Sequence, residues 1–533
     1  MLRSPVVVPP TQTSSSSMQS PTSASSWIQA CSAQLAGHRL ENFVIETLQC
    51  FDAPFPRSNE PPTVEPEIDD SLQSFSEAHE SAFEELARGS WQQEVDPAVA
   101  GLFERRLQSV DTLLGALPDA LVAKTLRLGL RVRMRQIMQR GIWPAIRLRA
   151  LADFYYSRSV LLMHNIDSLD TELLKSQAER TTWQPVNQDG TELAGVWESH
   201  YDGDGVWGPQ QIRALKIDLR TYRLETFDLR SENGSHDALA ERLGALGAVA
   251  GSSGGFFLYS EPDIESPSAQ YDPVGMILDS KNISHPPIES RAALLFADST
   301  VELRRVGLGD VALFWQDTEL PLSCAIHRSA SNIGPAATCI SVIGSLVHEV
   351  GENLAVPLNG FLLPWQDTYG PLPSAGTRLR WQGPKMQSGA LAQEGLSGGP
   401  LLLLDGEPCI DFQAEGFWGS AAPLTFSQDE TGDRNLLARL VVGTDLEGFF
   451  YMVAIDGRQA DRALGLSLEG CAAWMQGLGC DRAANMDGGS SKRLMLLGEV
   501  MDAPTTEVAP SASGESRTRP VYSGLAVIPK REA

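Results

Sequence analysis

The sequence predicts an α+β protein in which a C-terminal domain of mixed or antiparallel sheet follows a small, mainly helical region. Before Trp183, apolar residues recur at three- and four-residue spacing, which is typical of helices, and after it they alternate with polar residues, which is typical of strands. The start of the chain is rich in Ser, Thr and Pro and predicts disorder. We therefore expect a disordered tail with an acidic linker (1–71), a helical region (72–185) and a sheet domain (186–533).

Composition limits the classes of function. The 533 residues exceed what one compact core usually holds, and the formal net charge of −25 argues against nonspecific nucleic-acid binding by the whole molecule. We expect no transmembrane segment, because no apolar run is long enough. The apolar start is interrupted by Pro9-Pro10, so we see no signal peptide and favour the cytoplasm. The seven cysteines show no paired spacing and predict free thiols rather than a disulfide framework or a zinc site.

A basic stretch marks the predicted helical region. Between Leu121 and Leu151 it carries eight basic residues without an acidic one: Lys124, Arg127, Arg131, Arg133, Arg135, Arg140, Arg147 and Arg149. One interpretation is a helix (124–149) that docks on an acidic partner, an anionic membrane or nucleic acid. The other is a solvated helix face neutralised by the acidic stretch before it. We favour the second, because one basic helix does not make a binding module.

The sheet domain reads as strands with few helices. We expect two strands, 214–219 and 223–227, on either side of a polar turn, and a helix over 239–246 that leads to a glycine-rich run at 251–255. Hairpins are predicted for 292–295 with 301–303 and for 440–442 with 449–455. A helix is predicted over 467–478, with Ser467 as its N-cap and Gly479 as its stop.

Four glycine-containing segments follow one another in this domain. They are Ala248-Val249-Ala250 with Ser253-Gly254-Gly255-Phe256-Phe257; Gly398-Gly399-Pro400 with Asp405-Gly406; Arg439 to Gly443 with Val453 to Gln459; and Asn485-Met486-Asp487-Gly488-Gly489-Ser490-Ser491. Glycines beside Asp, Asn and Arg let a ligand approach the backbone closely and leave N–H groups for oxyanions. Gly398-Gly399 alone is more typical of a tight turn. Asp487 is charged and lies beside Asn485 and two glycines, so we do not expect it to belong to an apolar core.

The ordered set resembles the phosphodiester glycosidase family over roughly residues 190–530. The resemblance implies a hydrolase that cleaves a sugar from a phosphodiester at the anomeric carbon, with a carbohydrate or sugar-phosphate as substrate. Asp487 or Asp456 is then the base or nucleophile, Arg439 and Arg458 hold the phosphate, and Asn485 orients sugar hydroxyls. Either arginine is alternatively a structural partner of Asp456. The remaining predicted substrate-binding residues are Ser253, Gly254, Gly255, Gly398, Gly399, Gly488, Gly489 and Ser490.

Five positions depart from the family pattern: Ser253, Leu440, Gly470, Ser490 and Ser523. They favour an alternative in which the domain is catalytically weak or inactive and binds a glycan or sugar-phosphate, with the helical region as the partner contact. The retained Asp456, Arg458, Asn485 and Asp487 favour the hydrolase. No cofactor is predicted. A divalent cation is not excluded, because the carboxylates of Asp456 and Asp487 could bind one.

Overall fold

The computed structural model describes residues 170–205, 208–230, 238–258, 271–297, 300–327, 333–417, 436–457, 459, 462–505 and 520–530. These residues belong to one compact unit, Leu169–Glu507 with Glu515–Ala533. The predictions for the tail and linker (1–71), for the basic helix 124–149 and most of the helical region, and for Arg458 lie outside the described residues.

Three helices and twenty-five strands make up the described part of the chain. The helices are α1 (Thr171–Ala178), α2 (Leu239–Leu246) and α3 (Leu468–Gly477). The first thirteen strands are β1 (Gln184–Gln188), β2 (Thr191–Gly205), β3 (Gly208–Asp218), β4 (Tyr222–Asp228), β5 (Ala250–Ser253), β6 (Ile277–Asp279), β7 (Asn282–His285), β8 (Arg291–Ala297), β9 (Thr300–Val306), β10 (Ala312–Trp315), β11 (Thr318–Leu320), β12 (Ile326–His327) and β13 (Cys339–Ile343). The others are β14 (Leu346–Gly351), β15 (Gly360–Pro364), β16 (Arg380–Gln382), β17 (Glu394–Ser397), β18 (Leu401–Leu404), β19 (Glu407–Pro408), β20 (Arg439–Thr444), β21 (Phe449–Ile455), β22 (Arg482–Asn485), β23 (Leu494–Leu496), β24 (Glu499–Val500) and β25 (Ser523–Pro529).

The strands form five sheets, and every strand pair among the described residues is antiparallel. The largest sheet has eight strands in the order β1-β2-β3-β21-β20-β22-β18-β19. Two five-stranded sheets have the orders β24-β23-β5-β25-β4 and β7-β6-β17-β8-β9. Smaller sheets have the orders β12-β15-β13-β14 and β11-β10-β16. The predicted sheet-rich architecture is confirmed for the described residues, and its pairing is antiparallel.

Several predicted elements are found where the sequence placed them. β8 pairs with β9 and β20 pairs with β21, so both predicted hairpins are confirmed. Ser467 caps α3, because its side chain accepts a hydrogen bond from the Gly470 amide at 3.0 Å. Gly479, with a φ of +86°, lies in the left-handed region that favours glycine just after the helix.

The two strands predicted on either side of the polar turn are present as β3 and β4, but they belong to different sheets. β3 pairs with β2 and β21, whereas β4 pairs with β25. The first residues of the glycine-rich run belong to strand β5. Gly251 is needed there for packing: a Cβ atom would lie 2.4 Å from Leu243 of helix α2 and 2.7 Å from the Leu525 carbonyl oxygen.

The central strands of the eight-stranded sheet are buried on both faces. Val441 on one face packs in a cluster with α1 and α3, and Leu440 on the other face packs in a cluster that includes the β5 sheet. Helix α1, which the sequence assigned to the helical region, belongs to the core of the sheet domain because Leu174 is completely buried in the first cluster. None of the helices in the described residues has the length and hydrophobicity to cross a membrane.

Candidate active site

Several polar residues that the sequence predicts for the active site lie at one end of the eight-stranded sheet. Arg439 at the start of β20 pairs with Ile455 at the end of β21, directly before Asp456. On the other side of β20, Val441 pairs with Asn485. The pairing continues beyond the strands, because the Met486 amide donates to the Leu440 carbonyl and the Gly489 amide to the Ala438 carbonyl, both at 2.8 Å. Arg439, Asp456, Asn485 and Asp487 therefore lie at the same end of this sheet.

The sheet nevertheless separates Arg439 from Asp456. Arg439 is on the face covered by α3, where its Nε atom donates to the Leu466 carbonyl oxygen at 3.2 Å. Asp456 follows Ile455 and contacts Lys492 on the opposite face. Alternate residues of a strand point to opposite faces, which accounts for this separation. The structure therefore does not bring these two side chains together.

Asp487 lies where two sheets meet. It is half-buried, directly beyond β22, and its amide donates to the Gly254 carbonyl oxygen at 3.1 Å, next to the end of β5. Gly488 follows it against the neighbouring chain, where a Cβ atom would lie 2.7 Å from the Ala438 carbonyl oxygen. Gly489 has a φ of +58°. Gly488 and Gly489 thus allow a tight turn between sheets immediately after the candidate carboxylate.

Asn485 and the Gly398-Gly399 pair form a second contact of the site. The Nδ2 atom of the buried Asn485 donates to the Gly399 carbonyl oxygen at 2.8 Å, and the Gly399 amide donates to the Asn485 carbonyl oxygen at 2.7 Å. The Oδ1 atom of Asn485 accepts no hydrogen bond from the described residues. At Gly398 a Cβ atom would lie 2.4 Å from the Asn485 carbonyl oxygen, so only glycine allows this approach.

Two serines at departing positions have structural partners. Ser253 Oγ accepts a hydrogen bond from the Arg493 amide at 3.0 Å, and Ser523 Oγ accepts one from the Gly255 amide at 3.0 Å. Both serines are buried. Through these two hydrogen bonds, the short serine side chains hold the Ser253–Gly255 backbone in place. Gly254 and Gly255 pass close to Ser523 and to the Ser397 carbonyl oxygen, respectively.

The other departures have different surroundings. Leu440 is completely buried in the apolar cluster on the face away from Arg439. Gly470 lies in the first turn of α3, where a Cβ atom would lie 3.4 Å from Leu174 of α1 and 3.3 Å from Ser467 Oγ. Ser490 is buried in the short turn Gly489–Ser491. Leu440 and Gly470 thus take part in packing, which their departure from the family pattern did not indicate.

Asp456 belongs to a buried charge cluster that the sequence did not predict. Lys492 Nζ lies 2.6 Å from Asp456 Oδ1 and 2.6 Å from Asp502 Oδ2, and all three side chains are buried. Burial raises the pKa of the Asp456 carboxyl, and the Lys492 ammonium opposes that shift. The sequence indicated this cluster only by the two basic residues Lys492-Arg493, which follow the Asn485–Ser491 segment. Pairing with Asp502 depends on the return of the chain after β24, which no local pattern reveals.

Glu415 is a second residue that sequence reasoning missed. Its completely buried carboxylate accepts hydrogen bonds from the Ala292 and Leu401 amides, each at 2.8 Å, and from Arg305 Nε at 3.0 Å. At Gly399 a Cβ atom would lie 3.0 Å from Glu415 Oε2. Burial raises the pKa of this carboxyl. Glu415 therefore fixes the segment around Gly399, which in turn contacts Asn485.

No group of three or more His, Cys, Asp or Glu side chains within the described ranges is arranged to hold a metal ion. Asp456, one of the two residues considered as cation ligands, instead faces the ammonium of Lys492.

Comparison with known proteins gives a family match over the part of the chain that contains Arg439, Asp456, Asn485 and Asp487. Residues 366–528 match the family model for phosphodiester glycosidase, which confirms the resemblance for this part of the chain. No curated protein matches the chain.

Three solved structures are similar to the chain. A hypothetical protein from Synechocystis is 18% identical, with a TM-score of 0.44, and the match covers 66% of this chain and 64% of that one. A putative exported protein from Burkholderia pseudomallei is 20% identical, with a TM-score of 0.42 and coverage of 60% and 74%. The catalytic domain of zebrafish N-acetylglucosamine-1-phosphodiester alpha-N-acetylglucosaminidase, auto-inhibited by its pro-peptide, is 15% identical, with a TM-score of 0.38 and coverage of 66% and 88%.

Proposed function

We propose that the domain hydrolyses a sugar joined through its anomeric oxygen to a phosphodiester, and releases the free sugar and a phosphomonoester. The observation that carries the proposal is the position of Asp487, a half-buried carboxylate in the segment that matches the phosphodiester glycosidase family. The hydrogen bond from its amide to the Gly254 carbonyl oxygen ties it to the buried Gly254-Gly255 pair, which packs against Ser523 and Ser397.

The chemistry needs one carboxylate. Water attacks the anomeric carbon, the bond from that carbon to the bridging oxygen breaks, and the oxygen leaves with the phosphate. Asp487 takes a proton from the water as general base, or attacks first as nucleophile. A phosphomonoester is a good leaving group and needs little protonation, so the second carboxylate of an ordinary glycosidase is not required.

Of the two candidate carboxylates, the geometry favours Asp487. Asp456 is buried, and its Oδ atoms accept hydrogen bonds from Lys492 at 2.6 Å and from the Ala503 amide at 3.1 Å. A carboxylate held in this way is a poor base for a substrate water, because it is buried away from solvent and paired with the Lys492 ammonium. We assign Asp456 a supporting role through Lys492.

Substrate binding is assigned to the groups around Asp487. Asn485 fixes its amide on Gly399 and leaves Oδ1 to accept a hydrogen bond from a sugar hydroxyl, which would satisfy a buried polar atom. Arg439 supplies positive charge for the phosphate from the α3 face, and Arg458 is assigned the same role from its motif. The Gly254-Gly255 and Gly488-Gly489 backbones border the substrate.

One observation supports the alternative of a sugar-phosphate-binding domain without turnover. The Lys492 ammonium neutralises Asp456 inside the protein, so Asp456 is not available as a second catalytic carboxylate beside Asp487. Binding by Asn485 and the arginines does not depend on that carboxylate. The two functions differ in whether free sugar is formed in a reaction that requires Asp487.

The test is hydrolysis of a panel of sugar phosphodiesters that includes N-acetylglucosamine, the sugar in the zebrafish enzyme's name. The free sugar released by the full chain is compared with that released by Asp487→Asn and by Asp481→Asn, a matched control just before the opposite end of β22. We expect Asp487→Asn to lower kcat by at least about a hundredfold and the control to retain activity. Binding without Asp487-dependent turnover would support the alternative instead.

A further inference from the structure

The side chain of Lys492 is completely buried at the edge of the candidate site. Its Nζ atom donates to Asp456 Oδ1 at 2.6 Å, to Asp502 Oδ2 at 2.6 Å and to the Ala503 carbonyl oxygen at 3.2 Å. An ammonium group has three N–H donors, so all three have an acceptor. Lys492 is therefore held in one position by groups from two other parts of the chain.

The two carboxylates connect Lys492 to the backbone around them. Asp502 Oδ1 accepts a hydrogen bond from the Leu494 amide at 2.6 Å, and the Asp456 carboxylate accepts from the Ala503 amide at 3.1 Å. The Thr505 hydroxyl donates to the Gly457 carbonyl oxygen at 2.8 Å. The cluster thus joins the end of β21, the start of β23 and the segment after β24.

The same cluster is connected to Asp487 through a short turn. In that turn, the Ser491 amide donates to the Gly488 carbonyl oxygen at 3.1 Å and the Lys492 amide to the Gly489 carbonyl oxygen at 3.4 Å. After Lys492, the Ser253 amide donates to the Arg493 carbonyl oxygen at 3.1 Å. The segment from Asp487 to Arg493 is therefore fixed to the β5 region at both ends and to the charge cluster in between.

Stability alone does not account for such a cluster. Removing charges from water is costly, and well-packed apolar replacements of a buried ion pair are often neutral or stabilising. Arg493 adds a second buried cation, with Nη1 at 3.8 Å from Asp502 Oδ2. What the cluster provides is a fixed geometry for the turn that begins after Asp487.

We propose that Lys492 is a positioning residue: its ammonium acts as a tethered cation that holds Asp456 and Asp502 together and thereby fixes the Gly488–Ser491 turn and the carboxylate of Asp487. This inference rests on the proposed function for its catalytic consequence. Its structural consequence, an ordered turn, does not depend on which substrate the domain takes.

The test compares the full chain with the triple variant Asp456→Asn/Lys492→Met/Asp502→Asn, which removes the three charges together and also takes the Asp502 carboxylate away from Arg493 Nη1, 3.8 Å from it. Hydrogen exchange of the amides from Gly488 to Lys492 reports on the turn, Tm reports on the fold, and kcat and KM are measured on the sugar phosphodiester panel. We expect a Tm within a few degrees of the unaltered chain, faster exchange in the turn, and a kcat lowered by more than about tenfold with little change in KM.

A second variant covers the case in which the triple variant does not fold. Asp502→Asn keeps the Oδ1 acceptor for the Leu494 amide and removes one of the two carboxylates that face Lys492. We expect faster exchange in the same turn and a smaller loss of kcat. Asp405→Asn is the control, because Asp405 forms an exposed pair with Arg482 at 3.1 Å; it should change neither quantity.

Unchanged exchange in the turn and unchanged kcat in a folded variant would overturn the proposal. If the unaltered chain hydrolyses no sugar phosphodiester, the proposed function fails, and the exchange measurement still decides whether Lys492 orders the turn. Faster exchange together with an unchanged kcat would show that the cluster orders the turn without positioning Asp487, and would also contradict the proposal.

Discussion

The amide of Asp487 donates a hydrogen bond of 3.1 Å to the carbonyl oxygen of Gly254. This bond joins the candidate catalytic residue, at the end of the eight-stranded sheet, to the glycine pair that follows β5. Strand β5 is the central strand of a five-stranded sheet. The geometry of Asp487 therefore depends on a segment far from it in sequence. Substitutions that move either segment should affect activity without touching a substrate.

Gly398→Ala tests the close contact between the Gly398-Gly399 pair and Asn485. The new Cβ atom would lie 2.4 Å from the Asn485 carbonyl oxygen and 2.7 Å from Met486 Sδ, so the backbone has to shift. We expect a loss of about 1–3 kcal/mol in the free energy of unfolding, measured by urea denaturation, and a lower kcat.

The control for this variant is Gly244→Ala in helix α2, where a Cβ atom would meet no atom within 4 Å. Alanine favours a helix interior, so we expect a gain of about 0.5–1 kcal/mol in stability. Equal stability of the two variants would show that the Gly398 contact is less close than described.

Glu415→Ala tests the carboxylate that fixes the neighbourhood of Gly399. The change leaves two buried amides and the Arg305 guanidinium without their acceptor. We expect a loss of about 3–5 kcal/mol in urea denaturation. Glu225→Ala is the comparison, because Glu225 pairs with Arg223 nearer the surface; there the loss should be about 1 kcal/mol or less.

Lys492→Ala tests the tethered-cation description by a route independent of hydrolysis. The change leaves two carboxylates and the Ala503 carbonyl around an empty space, and oxygen ligands of this kind suit a hard cation such as calcium. We expect millimolar calcium chloride to raise the Tm of Lys492→Ala and to leave the unaltered chain unchanged. The same calcium response in both proteins would contradict the description.

His327 gives a prediction for the pH dependence of stability. Its Nδ1 atom lies 3.3 Å from Glu289 Oε1. The hydrogen bond between these side chains raises the pKa of the imidazole. A base with a raised pKa in the folded state stabilises fully below its unfolded pKa, and that stability is lost as the pH rises through the folded value. Between about pH 5.5 and about pH 8, the stability advantage of the unaltered chain over His327→Gln should therefore decrease. Parallel curves from urea denaturation at several pH values would contradict this.

The sequence predicted those features of the fold that depend on interactions between residues close together in the chain. The Ser467 cap, the Gly479 stop and the β20–β21 hairpin follow from residues a few positions apart, and the structure contains them. The separation of β3 from β4 was missed because strand pairing across the chain, with β25, overrides the turn between them.

The candidate site shows the same limit. Asn485 and Asp487 were recognisable from a contiguous motif, whereas the partner of Asp456 was not. Lys492 lies within the same short segment, but its role depends on Asp502, which reaches it only after a β-hairpin turns the chain back. Glu415 was missed for the same reason, since two of its partners belong to the distant β8–β9 hairpin and the third to β18.

The most direct test of the proposed chemistry is the fate of water oxygen during hydrolysis. The reaction is run in water labelled with heavy oxygen (¹⁸O), and the phosphomonoester product is examined by mass spectrometry. Attack at the anomeric carbon leaves the bridging oxygen on the phosphate, so we predict a phosphomonoester without label and label in freshly released sugar. A phosphomonoester that carries one labelled oxygen would mean attack at phosphorus and would contradict the proposed reaction.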